Sequence, residues 1–297
     1  SFLILSEFLG RWLPGFGGTM KFSEIVENLS ADLGRVEDAI QENFHSDVVL
    51  IPDVSGHLSN SGGKRIRPLL MLLSSRACGY EGPRSITHSV VVEFIHTATL
   101  LHDDVVDGAE VRRGSESANT KWGNEASVLV GDFLFARSFS IMAEDGNSEI
   151  LKTMSDACTL LSEGEVLQLV NMYNIRVTEG QYLDVIYRKT AALIAASCRV
   201  GALLGESSPS IVNALDQVGA QVGYAFQLVD DALDYMGDVE RTGKEVGKDL
   251  REGNITMPLL RVCSSATPEE FERINKIVIQ SDEIAPDDFS FVMDLMG

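Results

Sequence analysis

Apolar residues recur at three- and four-residue spacing almost throughout the chain, as in VVVEFIHTATLL and LLSEGEVLQLV, while alternating runs bounded by turn residues are nearly absent. The pattern predicts an all-α protein. Breaks fall at YEGPRS around Pro83, AEDGNS around Gly146, GESSPS around Pro209 and SSATPE around Pro268, each a helix stop followed by a new start. A helix from about Ser85 to Asp107 would be roughly 34 Å long, a rod able to line a deep cavity. With 297 residues, 44% of them hydrophobic, the chain can bury a large core. Low-complexity segments and extended linkers are lacking, so one helical domain over residues 20–297 is expected after an extension of residues 1–19.

Two of the apolar runs end in the same acidic pattern, LHDDVVD at 101–107 and LVDDALD at 228–234. On a helix, residues i and i+4 share a face and i+1 lies beside them. Asp103, Asp104 and Asp107 therefore form one cluster of hard oxygen ligands and Asp230, Asp231 and Asp234 another. Like charges at this spacing destabilise a bare helix, and a carboxylate at the end of a buried run is costly without a compensating cation. Divalent metal is the natural compensator. A solvated acidic face would be polar around the carboxylates, whereas Leu101, Val105, Val106, Leu228, Val229 and Leu233 surround these. One bundle with both clusters facing one central cavity is the economical arrangement, because bundle cores commonly host metal sites.

A formal charge of −20 excludes the usual basic kind of nucleic-acid binder. Cys78, Cys158, Cys198 and Cys263 are dispersed without a C-x-x-C pair, which argues against a zinc site or disulfide framework and for a reducing cytoplasm. Residues 1–19 lack the features of a signal peptide and are too interrupted to span a bilayer. Phe2, Leu5, Phe8, Leu9 and Trp12 are spaced for one apolar helical face, so an interfacial amphipathic segment is the second reading there. The end at FVMDLMG is abrupt, and a longer natural chain is expected.

Cations cluster in a repeated order. GGKRIRP places Lys64, Arg65 and Arg67 after two glycines on a loop entering a helix, a setting suited to a phosphate. Arg112 and Arg113 trail the first acidic cluster, and Lys244 and Lys248 the second. Lys189, beside Thr190 in RKTAAL, sits in an apolar helix, where a ligand phosphate would compensate its charge; a snorkelling surface lysine is the bland alternative. The order suggests an anion held from one side by metal and from the other by basic side chains.

As an ordered set, GGKRIRP, HTATLLHDDVVD, VRRG, RKTA, FQLVDDALD and GK resemble the trans-type polyprenyl (isoprenyl) diphosphate synthases over residues 55–260. The resemblance implies antiparallel helices around a central cavity (the isoprenoid synthase fold), a homodimer, and a requirement for about three Mg²⁺ ions. It makes the two triads the aspartate-rich motifs, with Asp103, Asp107 and Asp230 as metal ligands. It assigns Arg112, Lys189 and Lys244 to the allylic diphosphate and Lys64, Arg67, His96 and Arg113 to isopentenyl diphosphate. Thr190 and Gln227 would lie beside the developing carbocation. Without the family, His96 would read as a satisfied core histidine.

Small residues before the first motif, Ala98 and Thr99, leave room for a growing tail where the family's short-chain members carry aromatics, so an octaprenyl-range product for quinone side chains is expected. Peripheral membrane contact would serve release of such a product. Phe139, Met142 or Met154 could stop growth deeper down, or be plain core. A medium-chain geranylgeranyl-type synthase and a non-catalytic subunit of a heteromeric synthase are the alternatives. The latter should lack an aspartate cluster or the isopentenyl-binding cations, and both sets are present. A terpene cyclase normally carries an Asn/Ser/Glu-type second motif, which DDALD is not.

Overall fold

The computed structural model describes residues 21–60, 63–112, 114–236, 246–280 and 284–296. The expected all-α architecture is found: apart from one two-residue hairpin, every described element is helical. Two compact units emerge. The first comprises the described residues through Cys158 with Leu193–Gly219, the second Thr159–Ala192 and the described residues from Ala220 onward.

The first unit begins with α1 (Phe22–Asn28), α2 (Ser30–Asn43), α3 (Leu50–Asn60) and α4 (Ile66–Ala77). Then follow α5 (Arg84–Val106), the hairpin β1 (Val111–Arg112) and β2 (Ser115–Glu116), α6 (Ala118–Trp122) and α7 (Asn124–Asp145). Helix α8 (Ser148–Asn171) comes next, belonging to the first unit through Cys158 and to the second from Thr159. Helix α5 is the core rod, starting after Pro83 as expected, with Val90, Val91, Val92, Phe94, Ile95, Ala98 and Leu101 all buried. Each of these valine, isoleucine, leucine and phenylalanine side chains contributes roughly 1.5–3 kcal/mol when fully buried. Phe94 stacks on Phe44 at 5.1 Å between ring centroids. Helix α7 runs antiparallel to α5: Arg84 Nε donates to Asp145 Oδ1 at 2.6 Å, Ser138 Oγ to the Val91 carbonyl at 3.5 Å, and His102 Nε2 lies 3.1 Å from the Val128 carbonyl. By length and composition α7 is apolar enough to cross a membrane, but this packing makes it a core helix. Its C-cap is Gly146 at φ 72°, the left-handed conformation that glycine adopts without a Cβ penalty.

The hairpin departs from the helical expectation. Gly114, at φ 78°, lets the chain reverse, and His57 Nε2 holds the Glu116 carbonyl at 2.7 Å. That partner is remote in sequence, so no local pattern announces the strands.

In the second unit, α9 (Glu179–Ile186) starts from a Thr178–Gln181 capping box and runs into a π-helical turn, Tyr187–Ala191; α10 (Ala192–Leu204), which follows, belongs to the first unit from Leu193. The second unit also holds the end of α11 (Pro209–Met236), then α12 (Lys248–Arg251), α13 (Met257–Ser265), α14 (Pro268–Ile279) and α15 (Pro286–Met296). Pro268 stands in the first turn of α14 behind the Thr267 cap, where its missing N–H costs nothing. Tyr182, Leu250, Leu259, Ile274, Val278 and Val292 anchor this unit's core. All four cysteines carry free thiols.

Candidate active site at two acidic helix ends

In the first unit, the last turn of α5 carries Asp103 and Asp104, and Asp107 is its C-cap, its N–H bonded to the Asp103 carbonyl at 2.8 Å. The three carboxylates are not equivalent. Asp104 is fully buried and accepts Arg112 Nε at 2.6 Å, while Asp103 is partly open and Asp107 exposed. Arg112 stands on β1, and the hairpin is fastened by His57 and by Ser117 Oγ, which donates to the Ala109 carbonyl at 2.6 Å. A small cleft behind it is lined by His57, Asp104, Arg112, Glu116 and Ser117.

The open face of α5 continues down from Asp103 through Thr99 and Leu100 to His96, at helical spacing, and Thr99 Oγ1 donates to the His96 carbonyl at 2.7 Å. Ala98 is fully buried. Of the two small residues before the first motif, only Thr99 thus shares the open face with Asp103. Met142 and Met154 are buried core residues, while Phe139 is exposed. Lys64 immediately precedes the turn into α4 and is exposed; Arg67 lies half-buried in its first turn. Arg113 falls outside the described residues, as do Lys244 and residues 1–19.

The second unit repeats the division of labour. Asp230, near the end of α11, is exposed, whereas Asp231 is buried and accepts Tyr182 Oη at 2.6 Å and Gln227 Nε2 at 2.7 Å. Burial raises the Asp231 pKa against these two donors, and burial followed by the Asp231 charge raises that of Tyr182. Asp234 accepts the Asp249 N–H at 3.0 Å, and the Asp249 carboxyl is pushed up to about 8 by burial first and then by Asp234 and Asp231.

The π-helical turn presents Lys189 and Thr190, and such turns are frequent at functional sites. Thr190 Oγ1 donates to Gln227 Oε1 at 2.9 Å, so Thr190, Gln227, Asp231 and Tyr182 form one chain. Lys189 Nζ lies 2.7 Å from Glu165 Oε2, so a protein carboxylate already compensates the lysine that the sequence leaves without a partner. Two glycines pin the turn. A Cβ on Gly164 would come 2.7 Å from the Lys189 nitrogen, and one on Gly223 would come 2.4 Å from Ala191 Cα.

Glu165, Tyr182, Asp249, Gly164 and Gly223 escape the sequence reading. The glycines carry the one available signal, since glycine inside a helix usually has a packing reason.

Among the described residues, no three His, Cys, Asp or Glu side chains converge on one point that could hold a metal. The donors fit a different mode. Magnesium is typically bound through one or two carboxylates plus substrate phosphates rather than an all-protein cage. Asp103 with Asp107, and Asp230 with Asp234, supply carboxylates at i, i+4 on the negative ends of helices whose last turns contain no basic residue.

A family model described as polyprenyl synthetase matches residues 48–296. The chain belongs to the polyprenyl synthetase family. It is 45% identical over 261 residues to octaprenyl diphosphate synthase of Escherichia coli K12, covering 88% of this chain and 81% of that one. Among solved structures, a decaprenyl diphosphate synthase from Rhodobacter capsulatus superposes with a TM-score of 0.88 at 42% identity, covering 92% and 84% of the two chains. A polyprenyl synthase from Caulobacter crescentus, complexed with calcium and isoprenyl diphosphate, gives 0.86 at 41% identity over 92% and 83%. Family membership brings the all-α isoprenoid synthase fold and makes the chain a prenyltransferase.

Proposed function

We propose that this polyprenyl synthetase adds isopentenyl diphosphate units head-to-tail to an allylic primer such as farnesyl diphosphate, with Mg²⁺, to make an all-trans polyprenyl diphosphate of octaprenyl length for a quinone side chain. One observation carries the reading: both acidic motifs end a helix with an i, i+4 carboxylate pair, Asp103 with Asp107 and Asp230 with Asp234, while the intervening aspartate is buried against protein donors, Asp104 on Arg112 and Asp231 on Tyr182 and Gln227. The buried member orients the motif, and the i, i+4 pair supplies the oxygens for metal.

Asp103, Asp107 and Asp230 would hold about three Mg²⁺ ions together with the substrate phosphates. The chemistry supplied by bound metal is neutralisation of the departing diphosphate. Arg112, Lys189 and Lys244 hold the allylic diphosphate, and for Lys189 this means exchanging or sharing Glu165. Lys64, Arg67, His96 and Arg113 hold isopentenyl diphosphate. When the allylic carbon–oxygen bond breaks, its electron pair leaves with the diphosphate and the prenyl carbon becomes a cation. Thr190 gives its proton to Gln227, which donates in turn to Asp231, so the hydroxyl's lone pairs are available to the positive charge. The isopentenyl double bond then attacks the cation. A proton is then lost to the released diphosphate.

Incubation with Mg²⁺, isopentenyl diphosphate and farnesyl diphosphate, followed by chromatography of the dephosphorylated products, tests the reading. Octaprenol is the expected main product; absence of any chain extension overturns the assignment. Thr99→Tyr tests the room on α5. Its ring would stand about one helical turn, roughly 5–6 Å, below Asp103 on the same open face and shorten the product. An unchanged product ladder would remove Thr99 from chain-length control.

A further inference from the structure

The sequence counts three cations in GGKRIRP, but the structure takes one out of the anion-binding set. Arg65, between Lys64 and Arg67, adopts φ 46°, ψ 41°, one of only three non-glycine residues with positive φ among those described. A left-handed conformation suits glycine or asparagine, and a long side chain persists there only where its surroundings over-determine it. Here they do. The guanidinium forms a fork on Glu37 of α2, with Nη2 3.0 Å from Oε2 and Nε bonded to Oε1. Nη2 also reaches Ser59 Oγ of α3 at 2.9 Å, and Nη1 donates to Glu93 Oε2 of α5 at 3.0 Å. The Glu93 side chain is only 6% exposed, and a buried carboxylate requires such a partner. Glu93 lies three residues before His96, on the neighbouring turn of α5.

We propose that Arg65 is a positioning residue: it fastens the turn carrying Lys64 and Arg67 to the segment of α5 carrying His96, and so sets the spacing of the cations that receive isopentenyl diphosphate. The proposal rests on the reading of Lys64, Arg67 and His96 as that substrate's site. Arg65 itself, with its donors committed to two carboxylates and a serine, does not touch the substrate. Lysine cannot replace it, because an ammonium supplies no planar fork to span Glu37 and Glu93.

The test is steady-state kinetics of the full chain with each substrate varied separately, for wild type, Arg65→Lys and Glu93→Gln, alongside thermal melting. Both variants are expected to raise KM for isopentenyl diphosphate about tenfold, while kcat and the KM for farnesyl diphosphate stay within about twofold. Glu93→Gln keeps the side chain's shape and reports even if Arg65→Lys fails to fold. Unchanged KM values overturn the proposal, as does a parallel rise for both substrates with a lower melting temperature, the mark of general loosening. Those outcomes presuppose an active wild type; a wild type that extends no primer sinks the functional reading itself.

Discussion

Replacing Asp103 or Asp230 with alanine is expected to lower kcat by at least about 100- to 1000-fold, the cost of losing one element of transition-state charge stabilisation. The variants should still fold. In the absence of metal, each of these carboxylates sits at the negative end of a helix, four residues from a second one, an arrangement that disfavours the helix by a few tenths of a kcal/mol per pair. The buried aspartates should behave in the opposite sense. Asp104→Asn weakens the 2.6 Å contact with Arg112, and Asp231→Asn disturbs the bonds from Tyr182 and Gln227, so each should cost about 1–3 kcal/mol of stability as well as activity. Turnover at saturating Mg²⁺ and thermal melting, measured on all four variants, separate the two classes. Wild-type turnover in Asp103→Ala or Asp230→Ala would refute the metal-binding roles.

That contrast marks where the sequence stops being informative. Helix ends can be read because Pro83, Gly146, Pro209 and the Thr267–Pro268 pair act through their own backbone chemistry, and the structure places helix ends at all of them. The acidic motifs can be read from composition and spacing. Their internal division cannot: adjacent residues on a helix point about 100° apart, so one of Asp103 and Asp104 must turn inward, and tertiary packing decides which. Glu165 beside Lys189 and Glu93 beside Arg65 are single carboxylates in long helical runs, without a local signal. The hairpin bearing Arg112 depends on His57, far upstream. Lysine and arginine positions can be counted in a sequence, but whether a cation is committed to protein or open to a ligand depends on residues distant along the chain.

Gly223→Ala should be as damaging as removal of a ligand, without touching a charged group. The added Cβ would lie 2.4 Å from Ala191 Cα and 2.6 Å from its Cβ, distances that require main chain to move. Ala191 closes the π-helical turn that presents Lys189 and Thr190, and Gln227 stands one turn beyond Gly223 on α11. The same displacement therefore stretches the 2.9 Å Thr190–Gln227 bond. Misplacing a positioning group by about 1 Å can cost about 100-fold in rate, and overpacking about 1–3 kcal/mol in stability. The loss should appear in kcat and in the KM for the allylic diphosphate, the substrate proposed for Lys189, and leave the KM for isopentenyl diphosphate unchanged. Gly34→Ala is the matched control: Gly34 lies within α2 with nothing in the path of a Cβ, so alanine there should stabilise the helix by about 0.8–1 kcal/mol with activity intact. Adding Ala191→Gly to Gly223→Ala relieves only the Cβ contact and should restore activity in part, because the approach to Cα remains. Full wild-type kcat in Gly223→Ala would show that the close seating of α11 on the π-helical turn does not position the catalytic groups.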